Sequence, residues 1–260
     1  MNIKEVITFL DAQFHPEYQE SYDNSGYLLG DPNQPYQGAL VAVDLTSQII
    51  AEAIEHKLNL IVTHHPFIFN GIKRITTGSE TGRMIHQLIQ NGISVYAVHT
   101  NLDNLPDGVN GILAQKLGLT QCSILKPIDG HTNIGAGMVG MLPQPMPTEQ
   151  FIQHVKQVLI LPIVRSSALC RNEVQRVAIC GGSGSFLIGD AIQAHADIFL
   201  TSDLKYHEFE HVDGRIVLLD AGHYESEQFS KEIIYTAISK KFSTFACRIS
   251  CAPNSFICYH

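Results

Sequence analysis

The residues with most chemistry in this sequence come in three groups. Two adjacent histidines, His64 and His65, end the apolar run Leu60, Ile61, Val62 and precede Pro66. His99 and Asp103 follow a second apolar run, ISVYAV, residues 93–98. His223 and Glu227 stand four apart in GHYESE. Neutral imidazole is the commonest metal ligand in proteins, and carboxylates join it on borderline divalent ions. Residues at i and i+4 share one face of a helix, so His223 and Glu227 could reach one ion. Each group also has a plainer reading. A lone His–His pair in a loop is more often solvated, and an HxxxE pair also arises as a surface ion pair.

The elements that must carry these groups favour the chemical reading. A helix over residues 3–14 has Ile3, Val6, Ile7, Leu10 and Phe14 at helical spacing. Then strands at 38–45, 59–63 and 93–98 alternate with helices at 47–57 and 81–91, the second stopped by Gly92. This alternation predicts a parallel sheet with crossover helices, in which ligands bind beyond the carboxyl ends of the strands. Those ends carry Asp44, then His64 and His65, then His99 and Asp103. Random solvated loops would not sort five acid–base and ligand-competent side chains to one sheet edge. Ahead of the first of these strands, SYDNSGYLLGD, residues 21–31, reads as a tight turn before a short strand. Asp23 or Asn24 facing a pocket is the alternative there, and the turn is favoured.

The second half echoes the first. After a turn at Pro106–Gly108, a helix runs through Val109, Ile112, Leu113 and Leu117. Residues 126–147 form a Gly- and Pro-rich connection around one strand, 135–142, and a helix over 148–159 is expected to be capped by Thr148. Strands at 174–180, 197–203 and 215–220, with a helix at 187–195, again end in polar residues: GGSGSF, Asp203 and AGHYESE. The order repeats although the letters do not, which predicts two related α/β halves. GGSGSF, residues 181–186, could cradle a phosphate in backbone amides, but a Gly-rich turn is more often only a turn. His131 and His154 have no partners at ligand spacing and read as structural or surface histidines. The tail has Cys247, Cys251, Cys258 and His260, but its alternation suggests a last strand with buried thiols rather than a zinc site.

Composition narrows the function classes. At 260 residues the chain is one large domain or two smaller ones. A net charge of −8 argues against an extended nucleic-acid footprint, though not against a small anionic substrate. The six cysteines form no CxxC pair, no run approaches membrane-span length, and the N-terminus does not read as a signal peptide. Reduced thiols and a cytoplasmic location are the expectation.

The set DNSGYLLGD, VAVDLT, IVTHHPFIF, HTNLDN, GGSG, TSDLKYHEF and DAGHYESE, in this order, closely resembles the family of GTP cyclohydrolase 1 type 2 homologues, also called the NGG1-interacting factor three-like family. The resemblance spans nearly the whole chain, in the short form that lacks an inserted domain. It implies two intertwined α/β halves with mixed sheets flanked by helices, expected here as 1–125 and 126–260, with a metal site between them. Carried over residue by residue, it implies that His64, His65, Asp103, His223 and Glu227 are the ligands of a dinuclear centre of iron, zinc or manganese. It also implies a homohexameric ring, and hydrolysis of GTP with ring opening, for which metal-activated water would attack C8 of the purine. His99 and His207, just beyond strand ends, are candidates for proton transfer, and Lys205 for a phosphate contact; His99 could equally support a ligand. A binuclear hydrolase of another phosphate ester or cyclic amide and a non-catalytic metal-binding scaffold are the alternatives. No membrane partner is expected.

Overall fold

Apolar spacing sets the first element. Helix α1 (Ile3–Phe14) buries Ile3, Val6, Leu10 and Phe14, and Asn2 with Glu5 close a capping box at its start. There follow β1 (Gly26–Leu29), β2 (Gly38–Ala42), α2 (Ser47–Glu55), β3 (Leu60–Thr63), α3 (Glu80–Gln90), β4 (Ser94–Ala97), α4 (Thr100–Asp103) and α5 (Val109–Lys116). The chain continues with β5 (Thr120–Pro127), β6 (Gly135–Pro147), α6 (Thr148–Leu159), β7 (Arg165–Ser166), β8 (Glu173–Ser183), α7 (Ile188–Gln193), β9 (Ile198–Ser202) and α8 (Tyr206–His211). It ends with β10 (Val217–Asp220), α9 (His223–Glu227), α10 (Ser230–Lys241) and β11 (Ala246–Ile249). This computed structural model describes residues 1–252 and 255–259. His260, part of the rejected zinc reading, lies outside the described residues.

The chain forms two compact units. One comprises Met1–Leu102 and Ser230–Phe256, the other Asp103–Phe229 and Ile257–His260. The expected division at 125/126 is therefore displaced, and the reason lies in the pairing. Strand β5 joins the sheet of the second unit beside β6, while α10 packs on β2 and β11, and β11 pairs with β2.

The first unit holds a five-stranded mixed sheet in the order β1-β4-β3-β2-β11, in which only β1 is antiparallel. Leu40, Ala42, Ile61 and Val95 project to one face, where they pack with Ile49, Ile50 and Ala53 of α2 and Met84 and Leu88 of α3. Strand alternation sends Ala39, Val41, Leu60, Val62 and Tyr96 to the other face, and all are buried. There the Tyr96 hydroxyl donates to Asp11 of α1 at 2.6 Å.

The second unit holds a six-stranded mixed sheet, β5-β6-β8-β9-β10-β7. Val177, Ile179, Ile198, Leu200, Val217 and Leu219 face α5 and α6. Ala178, Cys180, Phe199 and Leu218 face the opposite way, with Leu187 and Ala191. Both faces are covered, which is why β8, β9 and β10 read as apolar runs.

Two local expectations are corrected. Thr148 is the first residue of α6 and not its cap; Pro147 holds the cap position, and the Thr148 hydroxyl donates to the Arg171 carbonyl. Strand β6 runs on to Pro147 through a register shift between Met141 and Met146, where Pro143 and Pro145 lack the amide that regular pairing needs. Strands β5 and β7 carry too little apolar alternation to be read: β5 is largely exposed and β7 has two residues.

Candidate metal centre

In the first unit the parallel pairing places the carboxyl ends of β4, β3 and β2 side by side. The ladder runs past the strand ends, since the His64 amide donates to the Ala42 carbonyl and the His65 amide to that of Val43. The three imidazoles that emerge form a triangle. Ring centroids lie 5.0 Å apart for His64 and His65, 5.4 Å for His64 and His99, and 5.5 Å for His65 and His99.

Each ring has Nδ1 on a fixed oxygen at 2.7 Å: His64 on the Val98 carbonyl, His65 on Asp44 Oδ1 and His99 on Asp23 Oδ1. A carbonyl or carboxylate oxygen only accepts, so Nδ1 is the donor and carries the proton in all three. The lone pair of a neutral ring then lies on Nε2, the arrangement that histidine ligands and general bases share.

Asp23 is more than a turn residue. Its carboxylate accepts from His99, from the amide and hydroxyl of Thr100, and from the Ser25 hydroxyl. Burial pushes this carboxyl up, but the hydrogen bonds from His99, Thr100 and Ser25 and the His99 charge outweigh it, holding Asp23 well below the usual carboxylate range. The favoured reading of this segment as a turn alone is thereby corrected.

In the second unit β8, β9 and β10 are parallel neighbours, and the polar residues at their ends meet. His223 opens α9 and Glu227 closes it. His223 Nδ1 donates to Asp203 Oδ2 at 2.7 Å, and its Nε2 lies 3.0 Å from Glu227 Oε2. With the proton on Nδ1, a lone pair on Nε2 faces a carboxylate oxygen, and two such acceptors are held this close only by a shared proton or a cation. That donor pair fits a divalent ion. Asp203 takes a left-handed conformation, φ 57°, to reach His223, a strain that aspartate tolerates better than most residues.

The Gly-rich segment is explained by Glu227. A Cβ at Gly182 would fall 2.0 Å from Glu227 Oε1 and 3.4 Å from His223 Nε2, so only glycine leaves room for the carboxylate. The Gly181 and Gly182 amides donate internally, to Asn110 Oδ1 and Ser226 Oγ, both at 2.9 Å. They are not turned toward an anion. Burial, with the charges of Asp103 and Glu227, pushes the Cys180 thiol up, so both carboxylates act on the same buried neighbourhood of this unit.

The remaining candidates are placed differently. His207 lies on α8 with a 75% exposed side chain, and its described contacts are with Glu210 of the same helix and the Tyr206 ring. Lys205, at the start of α8, is exposed, and its amide donates to Glu208. His154 donates to the Leu117 carbonyl at 3.2 Å. The six cysteines are free thiols. Sequence reasoning missed Asp203 as a partner of His223; a carboxylate at a strand end in a polar TSDLKYH loop was the available signal.

Fold and site together define an α/β protein with imidazole and carboxylate donors gathered at the strand ends of each unit. The chain belongs to the Duf34/NIF3 (NGG1p interacting factor 3) family, whose family model matches residues 1–255. A Nostoc protein called GTP cyclohydrolase 1 type 2 homolog is 34% identical over 233 residues, covering 88% of each chain. A Clostridium perfringens protein of the same name is 32% identical over 228 residues, covering 87% of each. A Staphylococcus epidermidis relative of that name aligns over 369 residues at 27% identity, covering 98% of this chain, so it holds residues with no counterpart here. Among solved structures, Staphylococcus aureus protein SA1388 matches with a TM-score of 0.91 and 29% identity over 100% of this chain and 99% of that one. A Bacillus cereus protein related to NIF3 matches with a TM-score of 0.93 at 23% identity over 100% and 99%, a likeness of fold. Among the described residues no helix is long and apolar enough to cross a membrane.

Proposed function

We propose that this chain is a dinuclear-metal-dependent hydrolase of a small molecule, with His64, His65, Asp103, His223 and Glu227 as the ligands of two divalent ions. The observation that carries this reading is the shared tautomer: His64, His65 and His223 each donate Nδ1–H to an oxygen acceptor, which puts the lone pair of a neutral ring on Nε2, as in histidine ligands. Three imidazoles and two carboxylates suit iron, zinc or manganese better than magnesium. Bound ions would supply Lewis acidity and a water that ionises near neutral pH.

The chain's own residues supply the rest. His99 Nε2 is the proton acceptor, because the hydrogen bond from Nδ1 to Asp23 orients the ring and fixes its tautomer. His99 is preferred to His207, whose partner Glu210 is 70% exposed and orients it weakly. Asp44 and Asp203 orient His65 and His223. The name of the curated relatives makes a purine nucleotide the substrate class to test first. A cytoplasmic, ring-forming oligomer completes the reading.

The test is elemental analysis of the purified protein beside His65→Ala, followed by GTP turnover scored as metal-dependent formate release. About two metal atoms per chain, a clear loss in the variant, and formate release support the reading. Full loading without turnover of GTP or of phosphodiesters, with a melting temperature that collapses on chelation, would replace it with a metal-binding scaffold.

A further inference from the structure

An aromatic ladder leads out of the histidine triangle of the first unit. The Phe69 ring stands 6.0 Å from the His99 ring, centroid to centroid, at 82°. The Tyr22 ring stands 6.3 Å from Phe69. Neither aromatic is a core residue: Phe69 is 42% exposed and Tyr22 61%. Both are nevertheless held in place. Asp23, next to Tyr22, is bonded to His99 and Thr100, and Asn24 Nδ2 donates to the Ile68 carbonyl, next to Phe69, at 2.6 Å. One short segment thus fixes the proton-accepting imidazole and two exposed aromatic rings together.

Apolar rings kept partly in water beside a polar site are the usual means of holding a flat heterocycle, because every such ring has a π face to stack. The loop that carries Phe69 also carries two adjacent exposed cations, Lys73 and Arg74, in a chain of net charge −8. Its far end is tied down, since Arg83 donates to the Thr77 carbonyl and the Gly82 amide to Ser79. Paired cations on an anchored loop draw phosphate oxygens.

We propose that Phe69 and Tyr22 form a stacking platform for the planar ring of a phosphorylated heterocycle, with Lys73 and Arg74 holding its phosphate. The platform turns the ring toward His99. The choice of a nucleotide rests on the hydrolase reading, whereas the platform itself rests on the geometry of this unit.

The experiment is calorimetric titration with guanosine 5′-monophosphate and with ribose 5-phosphate, on chelator-treated and on metal-loaded protein. The parent binds the nucleotide about tenfold or more tightly than the sugar phosphate, a ratio in the range of base–aromatic stacking. Phe69→Leu and Tyr22→Leu keep apolar bulk and lose the flat face. Each weakens the nucleotide about tenfold, with ribose 5-phosphate unchanged. The Lys73→Gln/Arg74→Gln double variant weakens both ligands. A parent that binds the nucleotide no better than the sugar phosphate overturns the platform, as does a Phe69→Leu protein that loses neither or loses both equally. The expected pattern in chelator-treated protein upholds the platform even where no turnover is found. Turnover by a Phe69→Leu protein that binds nucleotide like the parent overturns the platform and leaves the hydrolase reading standing.

Discussion

Gly182→Ala separates the cost of a strained backbone from the cost of a blocked site. Gly182 has φ +65°, and an added Cβ would lie 2.0 Å from Glu227 Oε1 and 3.0 Å from its Cδ. Restoring ordinary contact forces the carboxylate back by more than about 1 Å, since non-bonded carbons rest at ~3.5–4.0 Å. Metal sites tolerate errors of only ~0.2 Å in ligand distance, so the displacement exceeds the tolerance several times over. Glu227 is 3% exposed, which leaves the carboxylate little room to retreat and recover its aim. The backbone strain is about 1–2 kcal/mol, small against the roughly 5–15 kcal/mol of a folded domain. Gly130→Ala is the control: φ is +82° there, and nothing lies within 4 Å of the added Cβ. Both variants are expected to melt a few degrees below the parent. Only Gly182→Ala is expected to lose metal, with affinity down about ten- to a hundredfold, as when a ligand's support is removed. Metal content after dialysis, read beside thermal melts, decides the matter. Parent-like metal in Gly182→Ala, or an equal loss in Gly130→Ala, would refute the reasoning.

His64→Ala and Glu227→Ala are each expected to lower metal content more than His154→Ala, whose ring meets the Leu117 carbonyl and the Phe151 ring; a larger loss in His154→Ala would misplace the centre. Asp203→Asn keeps its size but replaces a carboxylate with an amide at His223 Nδ1, and is expected to weaken metal retention about tenfold or more while the far-ultraviolet circular dichroism is unchanged. Equal retention would deny Asp203 that role. Asp23 has a folded-state pKa below its ordinary value of 3.8, so its contribution is present above about pH 4 and is lost as pH falls further. Urea midpoints at pH 7 and pH 3 are therefore expected to differ less in Asp23→Asn than in the parent, and equal differences would remove the linkage.

The histidine triangle of the first unit was legible because strand ends are where the chain changes from apolar to polar. Asp44, His64, His65 and His99 each follow a buried run, and the pairing of β2, β3 and β4 converts that sequence position into spatial convergence. The supporting carboxylates were harder to read. Asp23 sits 76 positions from His99 in a segment that satisfies every requirement of a turn, and nothing local marks its second role. Gly182 was ambiguous for a related reason, since its glycine answers to a side chain 45 positions later and not to its own turn. The unit boundary was misjudged because β5 has few buried positions and owes its place to pairing with β6.

The pairing of β2 with β11 also bears on how the chain is made. Gly38 is opposite Ala246, and a Cβ at Gly38 would meet the Ala246 carbonyl oxygen at 2.6 Å. At synthesis rates of about 5–20 residues per second, β2 leaves the ribosome on the order of ten to forty seconds before its partner exists. During that interval the fully apolar segment Gly38–Ala42 is the open border of a growing sheet, a surface that invites pairing with another chain. A nascent protein stalled before residue 246 retains the histidines and the rest of this unit's strands, yet keeps that border exposed. The arrival of β11 pairs that border and closes it.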